Sequence, residues 1–384
     1  MFRLYIYFFI LFTLLGSCNT AENDKNPTIG DTVVPIVSTG AEIEPIDTQK
    51  QLNDIADFIA GKNVRKESSF YTLSQTDTWR HYSAESEYAW KGFEKVAKKY
   101  QAFSEKNIKA PYDTIKTLFY PFSGPDFLFA NIMFPNVEHM ILMGLESPGS
   151  IPAFDKAAQD SLNKISELYR VAIEDVVQLS FFRTVDMKNE LGNKAIDGTT
   201  PILMLFLARS DKEIMKVQKS YFSDKGIAVE TNDSQKANAV VIEYRDKGSN
   251  KIKKITYLSL NLADPTLKKN RPVMAFLKNI DQHMVTFIKS ATYLMHKPYF
   301  SIVRNICLNK SVLILQDDSG IAYHYFKKEK WNFHYFGSYT KPIDMFNMFY
   351  QEDYFQAFKQ IKTEALHFRA GYNRNSNLLL ALKK

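Results

Sequence analysis

Four residues that could bind a small molecule lie close together within residues 117–146. Ser123, Gly124 and Asp126 belong to a tight turn that follows a short apolar run, and Glu146 ends the next apolar run. A glycine turn lets the backbone approach a ligand, and an acidic residue at the end of the following strand accepts hydrogen bonds from ligand hydroxyl groups. We therefore expect these four residues to line one ligand pocket.

The same turn also has a purely structural explanation, which the sequence leaves open. Pro125 is a favourable first residue for the helix that follows, and Asp126 is a favourable acid in its first turn. A carboxylate at this helix start would repel a phosphate group, because it already occupies the positive end of the helix dipole. A dinucleotide pyrophosphate is therefore disfavoured, whereas an uncharged or cationic ligand is permitted.

A second acidic motif, Asp317-Asp318-Ser319-Gly320, follows an apolar run. Neighbouring strand residues point to opposite faces, so the two carboxylates do not share a metal ion unless the chain turns there. A turn that ends a strand explains the motif better than a metal site does. Asp317 would still lie at the carboxyl end of a buried strand, where open α/β sheets bind ligands, and we expect it to be a secondary member of the pocket.

The sequence lacks the motifs of common metal, nucleotide and nucleophile sites. Its seven histidines show no zinc-ligand spacing, and it contains no Gly-x-Ser-x-Gly, P-loop, Cys-x-x-Cys or HExxH motif. We expect no metal site, and Cys307 in its apolar segment is expected to be a buried thiol. The net charge of +7 comes with scattered lysine pairs, which indicates a solvated surface and no nucleic-acid partner.

The periodicity of apolar residues predicts the elements that would position these side chains. Strands are expected at residues 115–121, 140–145, 202–208, 284–288 and 312–315, with further strand-like pieces at 366–372 and 377–382. Helices are expected at 86–106, 127–134, 154–181, 272–280 and 298–308, after Pro342, and after a Ser210-to-Glu213 capping box. Hairpins are expected at 239–262 and 321–336. This order predicts an α/β body with a mostly parallel sheet flanked by helices and antiparallel hairpins toward the C-terminus.

The second predicted hairpin is rich in aromatic residues, and two explanations are open for them. They could form an exposed stacking surface for a sugar or a peptide, or they could pack across strands in a core. The residues are Tyr323, Tyr325, Trp331, Phe333, Tyr335 and Phe336.

The order of strand, glycine turn, helix and acid-ended strand resembles Rossmann-like nucleotide sites, and in particular the layout of class I methyltransferases. This resemblance implies a Rossmann-like sheet and S-adenosylmethionine as the cofactor, cradled by Ser123 to Asp126 with Glu146 at its ribose. The turn departs from the pattern because it has one glycine where the family has two or three.

Several segments are similar to a group of conserved hypothetical bacterial proteins, some of them lipoproteins. The similar pieces are YPFSGPDFLFAN, FPN, GLE, LILQDDSG and SNLLLA, within residues 110–382. The resemblance implies a single folded unit, here expected at residues 49–384, and implies no particular reaction.

The N-terminus has the features of an export signal, with Arg3 before an apolar run of a dozen residues that is too short to span a bilayer. Its end, Leu15-Gly16-Ser17-Cys18, resembles the lipobox of bacterial lipoproteins. This implies that residues 1–18 form the signal peptide and lipobox, and that Cys18 carries the acyl chains, such as palmitate. Residues 19–48, polar and free of aromatic side chains, are expected to be a flexible tether.

Together these patterns predict a lipoprotein of the cell envelope, anchored to a membrane and facing the periplasm or the cell exterior. Its expected activity is binding of a small molecule at the sheet edge through Ser123, Gly124, Asp126, Glu146 and Asp317. One alternative is a methyltransferase-like enzyme that uses S-adenosylmethionine; outside this alternative the sequence leaves the cofactor unknown. A second alternative is an envelope module that binds another protein.

Overall fold

The computed structural model describes residues 48–109, 114–152, 192–193, 196–372 and 376–384, and a ten-stranded sheet lies at its centre. The strands are β1 (Thr117–Tyr120), β2 (His139–Gly144), β3 (Gly192–Asn193), β4 (Ile196–Asp197), β5 (Lys212–Phe222), β6 (Ala228–Glu230), β7 (Ala239–Asp246), β8 (Ile252–Ser259), β9 (Met284–Ile288), β10 (Ser311–Gln316), β11 (Trp331–Gly337) and β12 (Asn377–Lys383); β3 and β4 pair outside the main sheet.

Nine α-helices lie in the described ranges: α1 (Thr48–Ile59), α2 (Tyr71–Ser74), α3 (Asp77–Ser104), α4 (Phe127–Met133), α5 (Thr200–Arg209), α6 (Asp264–Lys269), α7 (Arg271–Asn279), α8 (Ser301–Lys310) and α9 (Glu352–Gln360). None of these helices is both long enough and apolar enough to cross a membrane. The predicted helix at 154–181 and the predicted signal peptide with Cys18 lie outside the described residues.

The strand order across the sheet is β11-β12-β10-β9-β1-β2-β8-β7-β5-β6. Neighbours among β10, β9, β1, β2 and β8 run parallel, and the other five neighbouring pairs are antiparallel. The predicted mostly parallel, Rossmann-like sheet is therefore wrong: the fold is α/β with one mixed, mostly antiparallel sheet. The reason is that β5 to β8 pair as antiparallel neighbours on one side, while β11 and β12 return antiparallel on the other.

Each face of the sheet carries its own apolar core, because side chains alternate along a strand. Leu118 and Tyr120 of β1 point to the face covered by α1, α3, α4 and α5, which we call the first face. Phe119 points to the second face, covered by α6, α7, α8 and α9. The same alternation decides which polar groups meet where the strands end.

Two predictions about residues 200–222 are wrong. The apolar run at 202–208 forms helix α5, with Pro201 in its first turn and all of its residues buried. A helix buried on every side is apolar at every position, and so is a strand buried on both faces. The apolar run in the sequence therefore does not distinguish the two. The helix predicted after Ser210 is strand β5, which pairs with β7 and has an irregular register between Ile214 and Lys216.

The predicted aromatic hairpin at 321–336 is also not formed. Tyr323–Tyr325 is a single 3-10 turn, and β11 pairs with β12. Trp331 and Tyr335 are only 4% and 6% exposed and belong to the core of the second face. Core packing, and not an exposed stacking surface, therefore explains these aromatic residues.

Candidate functional site

The central parallel strands place their carboxyl ends at one edge of the sheet, and the connections diverge between two of them. From β1 the chain continues to its neighbour β2, whereas from β9, on the other side of β1, it continues away to β10. Such a divergence opens a crevice beyond the carboxyl ends of the two strands, and ligands of open α/β sheets bind there. The loops after β1, β9 and β10 lie at this edge of the sheet.

A buried ion pair occupies the point of divergence. Lys289 directly follows β9, and its Nζ lies 3.1 Å from Oδ2 of Asp126; the side chains are 1% and 2% exposed. The Lys289 ammonium also lies 4.0 Å from the centre of the Phe129 ring. Burial lowers the pKa of Lys289, and the charges of Asp126 and Asp317 oppose that shift. This ion pair connects the loop after β1 with the end of β9.

Asp126 also has a structural role, but as the N-cap residue of α4 and not as the predicted acid of its first turn, because the helix begins at Phe127 and Pro125 lies before it. Its Oδ1 accepts a hydrogen bond from the backbone N–H of Phe129 at 3.2 Å and caps helix α4. Its Oδ2 accepts from the hydroxyl group of Tyr120 at 2.9 Å. Burial, followed by the charge of Asp126, raises the pKa of Tyr120, which holds the hydroxyl proton on Tyr120 as the donor.

Asp317 is fully buried at the end of β10 and accepts three hydrogen bonds. Oδ2 accepts from the N–H of Ser290 at 2.9 Å, and Oδ1 accepts from the N–H and hydroxyl groups of Ser319 at 3.0 and 2.5 Å. A Cβ at Gly371, which has φ of +76°, would lie 2.0 Å from Oδ2, so a side chain there is excluded. Burial and the charge of Asp318 raise the pKa of Asp317 to about 7.

Glu146 lies next to the glycine turn at the end of β2. Its Oε2 accepts hydrogen bonds from the N–H of Leu145 at 3.1 Å and the hydroxyl group of Tyr257 at 3.0 Å. A Cβ at Gly144 would lie 2.5 Å from that oxygen and 3.0 Å from the Cα of Gly124. The carboxylate and the turn therefore meet over Gly144, which can have no side chain.

The hydroxyl group of Ser123 holds the glycine turn against β2. Its hydroxyl oxygen accepts from the N–H of Met143 at 3.1 Å, and the N–H of Gly124 donates to the carbonyl of Met143 at 3.1 Å. These bonds hold the loop after β1 against the neighbouring strand.

Because side chains alternate along a strand, these polar groups lie side by side on the first face. On that face, apolar side chains fill each strand, and polar side chains follow at or just past its carboxyl end, across β10, β9, β1, β2 and β8. We call this line the polar row; its members are Asp317, Lys289, Tyr120, Asp126, Glu146 and Tyr257. With neighbouring strands about 4.8 Å apart, the row is on the order of 19 Å long.

Asp318 points to the second face, as the alternation predicts. Its carboxylate accepts hydrogen bonds from the hydroxyl group of Tyr293 and from Nδ2 of Asn377, the latter at 2.9 Å. Asp317 and Asp318 therefore do not chelate one ion. In the part of the chain that the structure describes, no group of three or more His, Cys, Asp or Glu side chains is placed to hold a metal.

The loops after β1 and β9 hold strained backbone. Phe122 has φ of +61°, and Ser290, Thr292 and Tyr293 have φ of +53°, in the left-handed region that favours glycine. Each such residue costs roughly 1–3 kcal/mol and persists only when its surroundings hold it, and such residues cluster at functional sites. Two of them bond to the acid pair, since Asp317 accepts from Ser290 and Asp318 accepts from Tyr293.

The sequence predicted the acidic members of the row but missed Lys289 and the tyrosines. Lys289 follows the apolar strand MVTFI directly and precedes Ser290-Ala291. A lysine at the last position of a buried parallel strand has little room to reach solvent, and this position is the signal that could have identified it.

No model of a known protein family matches the chain, and no curated protein and no solved structure is significantly similar to it. The resemblances to bacterial hypothetical proteins and to lipoproteins therefore stay predictions.

Proposed function

We propose that the protein binds a small polar molecule along the polar row at the carboxyl edge of the parallel strands. The observation that carries this proposal is the buried ion pair between Lys289 and Asp126 at the point where the connections diverge. An ion pair in such a place contributes little net stability compared with well-packed apolar side chains. Its position, next to strained loops and to Asp317 at the carboxyl edge of the parallel strands, supports a binding site there.

The row also has the chemistry to exchange a proton with its ligand. The pKa of Lys289 is lowered by burial, and that of Asp317 is raised to about 7 by burial and Asp318. Both groups therefore change protonation closer to neutral pH than free side chains do, which suits general acid and base catalysis. S-adenosylmethionine is not proposed, because the Rossmann-like sheet order on which that alternative depends is absent.

The small molecules retained by the purified full chain test this proposal. We expect mass spectrometry of the denatured wild-type protein to identify a molecule that the double variant Lys289→Met/Asp126→Asn lacks. This variant removes both charges and keeps an amide oxygen for the cap of α4. The matched control Arg65→Met/Asp54→Asn removes an ion pair between α1 and the segment after it, and should retain the molecule. Equal retention by both variants, or none by the wild type, would contradict the proposal.

We also propose that the protein is anchored to a membrane of the cell envelope through acylated Cys18. The support is the sequence alone: the apolar stretch of the right length, the lipobox-like tetrad and the polar segment that follows it. Multiple acyl chains hold a protein firmly, since each buried methylene contributes about 0.8 kcal/mol.

Replacing Cys18 by Ser is expected to release the protein from the membrane fraction. The variant lacks the sulfur atom to which the lipid is attached, so it should carry no fatty acid. We expect most of the protein to move from the membrane fraction to the soluble fraction, or to accumulate as an uncleaved precursor. Metabolic labelling with palmitate and fractionation measure this change. Cys307→Ser is the matched control, because the Cys307 thiol is buried in the core. This variant should still incorporate palmitate and remain in the membrane fraction. Palmitate label on Cys18→Ser would contradict the anchor.

A further inference from the structure

We infer that the ligand of the polar row is a small organic cation whose ammonium group binds Oε1 of Glu146. This inference rests on the proposed function and specifies its ligand. It starts from an unsatisfied atom: Oε1 of Glu146 has no hydrogen-bond partner among the described residues, although Glu146 is only 3% exposed. Buried carboxylate oxygens ordinarily accept at least one hydrogen bond, so this oxygen marks the place of a donor.

The other carboxylates of the row do not need such a donor. Asp126 accepts from Tyr120, Phe129 and Lys289, and Asp317 accepts three hydrogen bonds from Ser290 and Ser319. Among the carboxylates of the row, the unsatisfied oxygen is thus the one at the carboxyl end of β2.

The formal charge of the row favours a cation over a neutral or anionic ligand. Counted by formal charge, Asp126 and Glu146 carry two negative charges against the one positive charge of Lys289, and Asp317 adds a third only above its raised pKa of about 7. Uncompensated charge is unfavourable in a buried site, and an ammonium group supplies both a donor and compensation. A hydroxyl group supplies the donor only, and an anion would add to the excess. A metal ion is disfavoured because these carboxylates do not converge as three ligands.

The residues on both sides of Glu146 in the chain are exposed: Leu145 is 65% exposed, and Ser147 is exposed as well. A Cβ at Gly144 would lie 2.5 Å from Oε2 of Glu146 and 3.0 Å from the Cα of Gly124, so the backbone of the turn and of β2 lies close to the carboxylate. An unbranched aliphatic amine displaces fewer of these neighbours than a bulky ring does.

Three ligands of one length test the inference: 5-aminopentan-1-ol, pentane-1,5-diol and 5-hydroxypentanoate, measured by calorimetry on the full chain at pH 8. We expect the amine to bind at least tenfold more tightly than the diol and the hydroxy acid. Glu146→Gln should weaken amine binding at least tenfold, because the amide keeps the size and loses the charge. The surface variant Asp281→Asn, with the same change of charge, should bind as the wild type does.

Urea denaturation of Glu146→Gln, followed by circular dichroism, separates loss of the ammonium site from a fold defect. We expect this variant to keep the wild-type spectrum and a cooperative unfolding transition while its amine binding weakens. Tighter binding of the diol or the hydroxy acid overturns the cation inference and leaves the small-molecule proposal standing. No binding of the amine, or equal amine binding by Glu146→Gln, also overturns it, whereas the proposed function is judged separately by the retained molecule.

Discussion

Replacing Lys289 by Met is expected to lower the free energy of unfolding by about 3–5 kcal/mol, the usual effect of removing one partner of a buried ion pair. The reason is that Asp126, only 2% exposed, loses the ammonium group 3.1 Å away. Tyr120 and the N–H of Phe129 still donate to its carboxyl group, but no cation remains beside it. Urea denaturation at pH 8, followed by circular dichroism, measures the change.

A double-mutant cycle with Asp126→Asn assigns this loss to the pair. The double variant removes both charges, so we expect it to be more stable than Lys289→Met alone, with a coupling energy of about 2 kcal/mol or more. Lys91→Met is the matched control: this lysine is 66% exposed, pairs with Glu87 at 3.9 Å, and should change stability by less than about 0.5 kcal/mol. If Lys289→Met stayed within 1 kcal/mol of the wild type, the pair would not be the charged, buried group described above.

Replacing Asp317 by Asn is expected to remove a pH dependence of stability. The pKa of Asp317 is raised from 3.8 to about 7, so the folded state binds its proton more tightly than the unfolded state does. The stability from this group is complete below pH 4 and is lost as pH rises through 7. At about 1.4 kcal/mol per pKa unit, the advantage of the wild type over Asp317→Asn should fall by an amount on the order of 4 kcal/mol between pH 4 and 8.

The comparison between variants isolates this group from acids elsewhere. Asp211 and Asp246 have lowered pKa values through their lysine partners, and they add the opposite slope near pH 4 to every variant equally. The pKa of Asp318 is itself raised by burial, and Asp318 is present in both proteins that are compared. Asp281→Asn should keep the wild-type profile. Parallel profiles for the wild type and Asp317→Asn would show that Asp317 ionises normally.

Short-range patterns predicted the elements that carry the site. The apolar runs before Ser123, Glu146 and Asp317 are strands β1, β2 and β10, and the glycine turn leads into α4, as expected. The carboxyl ends of these strands lie at one edge of the sheet because the strands pair in parallel. The helix between β1 and β2 already indicates parallel pairing of these two strands in the sequence.

Pairing between distant segments could not be predicted in the same way. Whether β12 joins β10 or another strand depends on which edge stays open after the rest of the sheet forms. Likewise, residues 202–208 are equally apolar as a helix or a strand, and only the packing of α1 and β5 against them decides. The position of Lys289 beside Asp126 is a consequence of this long-range arrangement, which is why sequence patterns found one partner and missed the other.

A crystal structure of the full chain with its retained molecule would locate the binding site directly. We expect ligand density along the first face at the carboxyl edge, with a ligand nitrogen within hydrogen-bond distance of Oε1 of Glu146 and the pair of Lys289 and Asp126 beside it. Density for the molecule at any other place, with the polar row closed by the protein's own side chains, would rule out binding at the polar row.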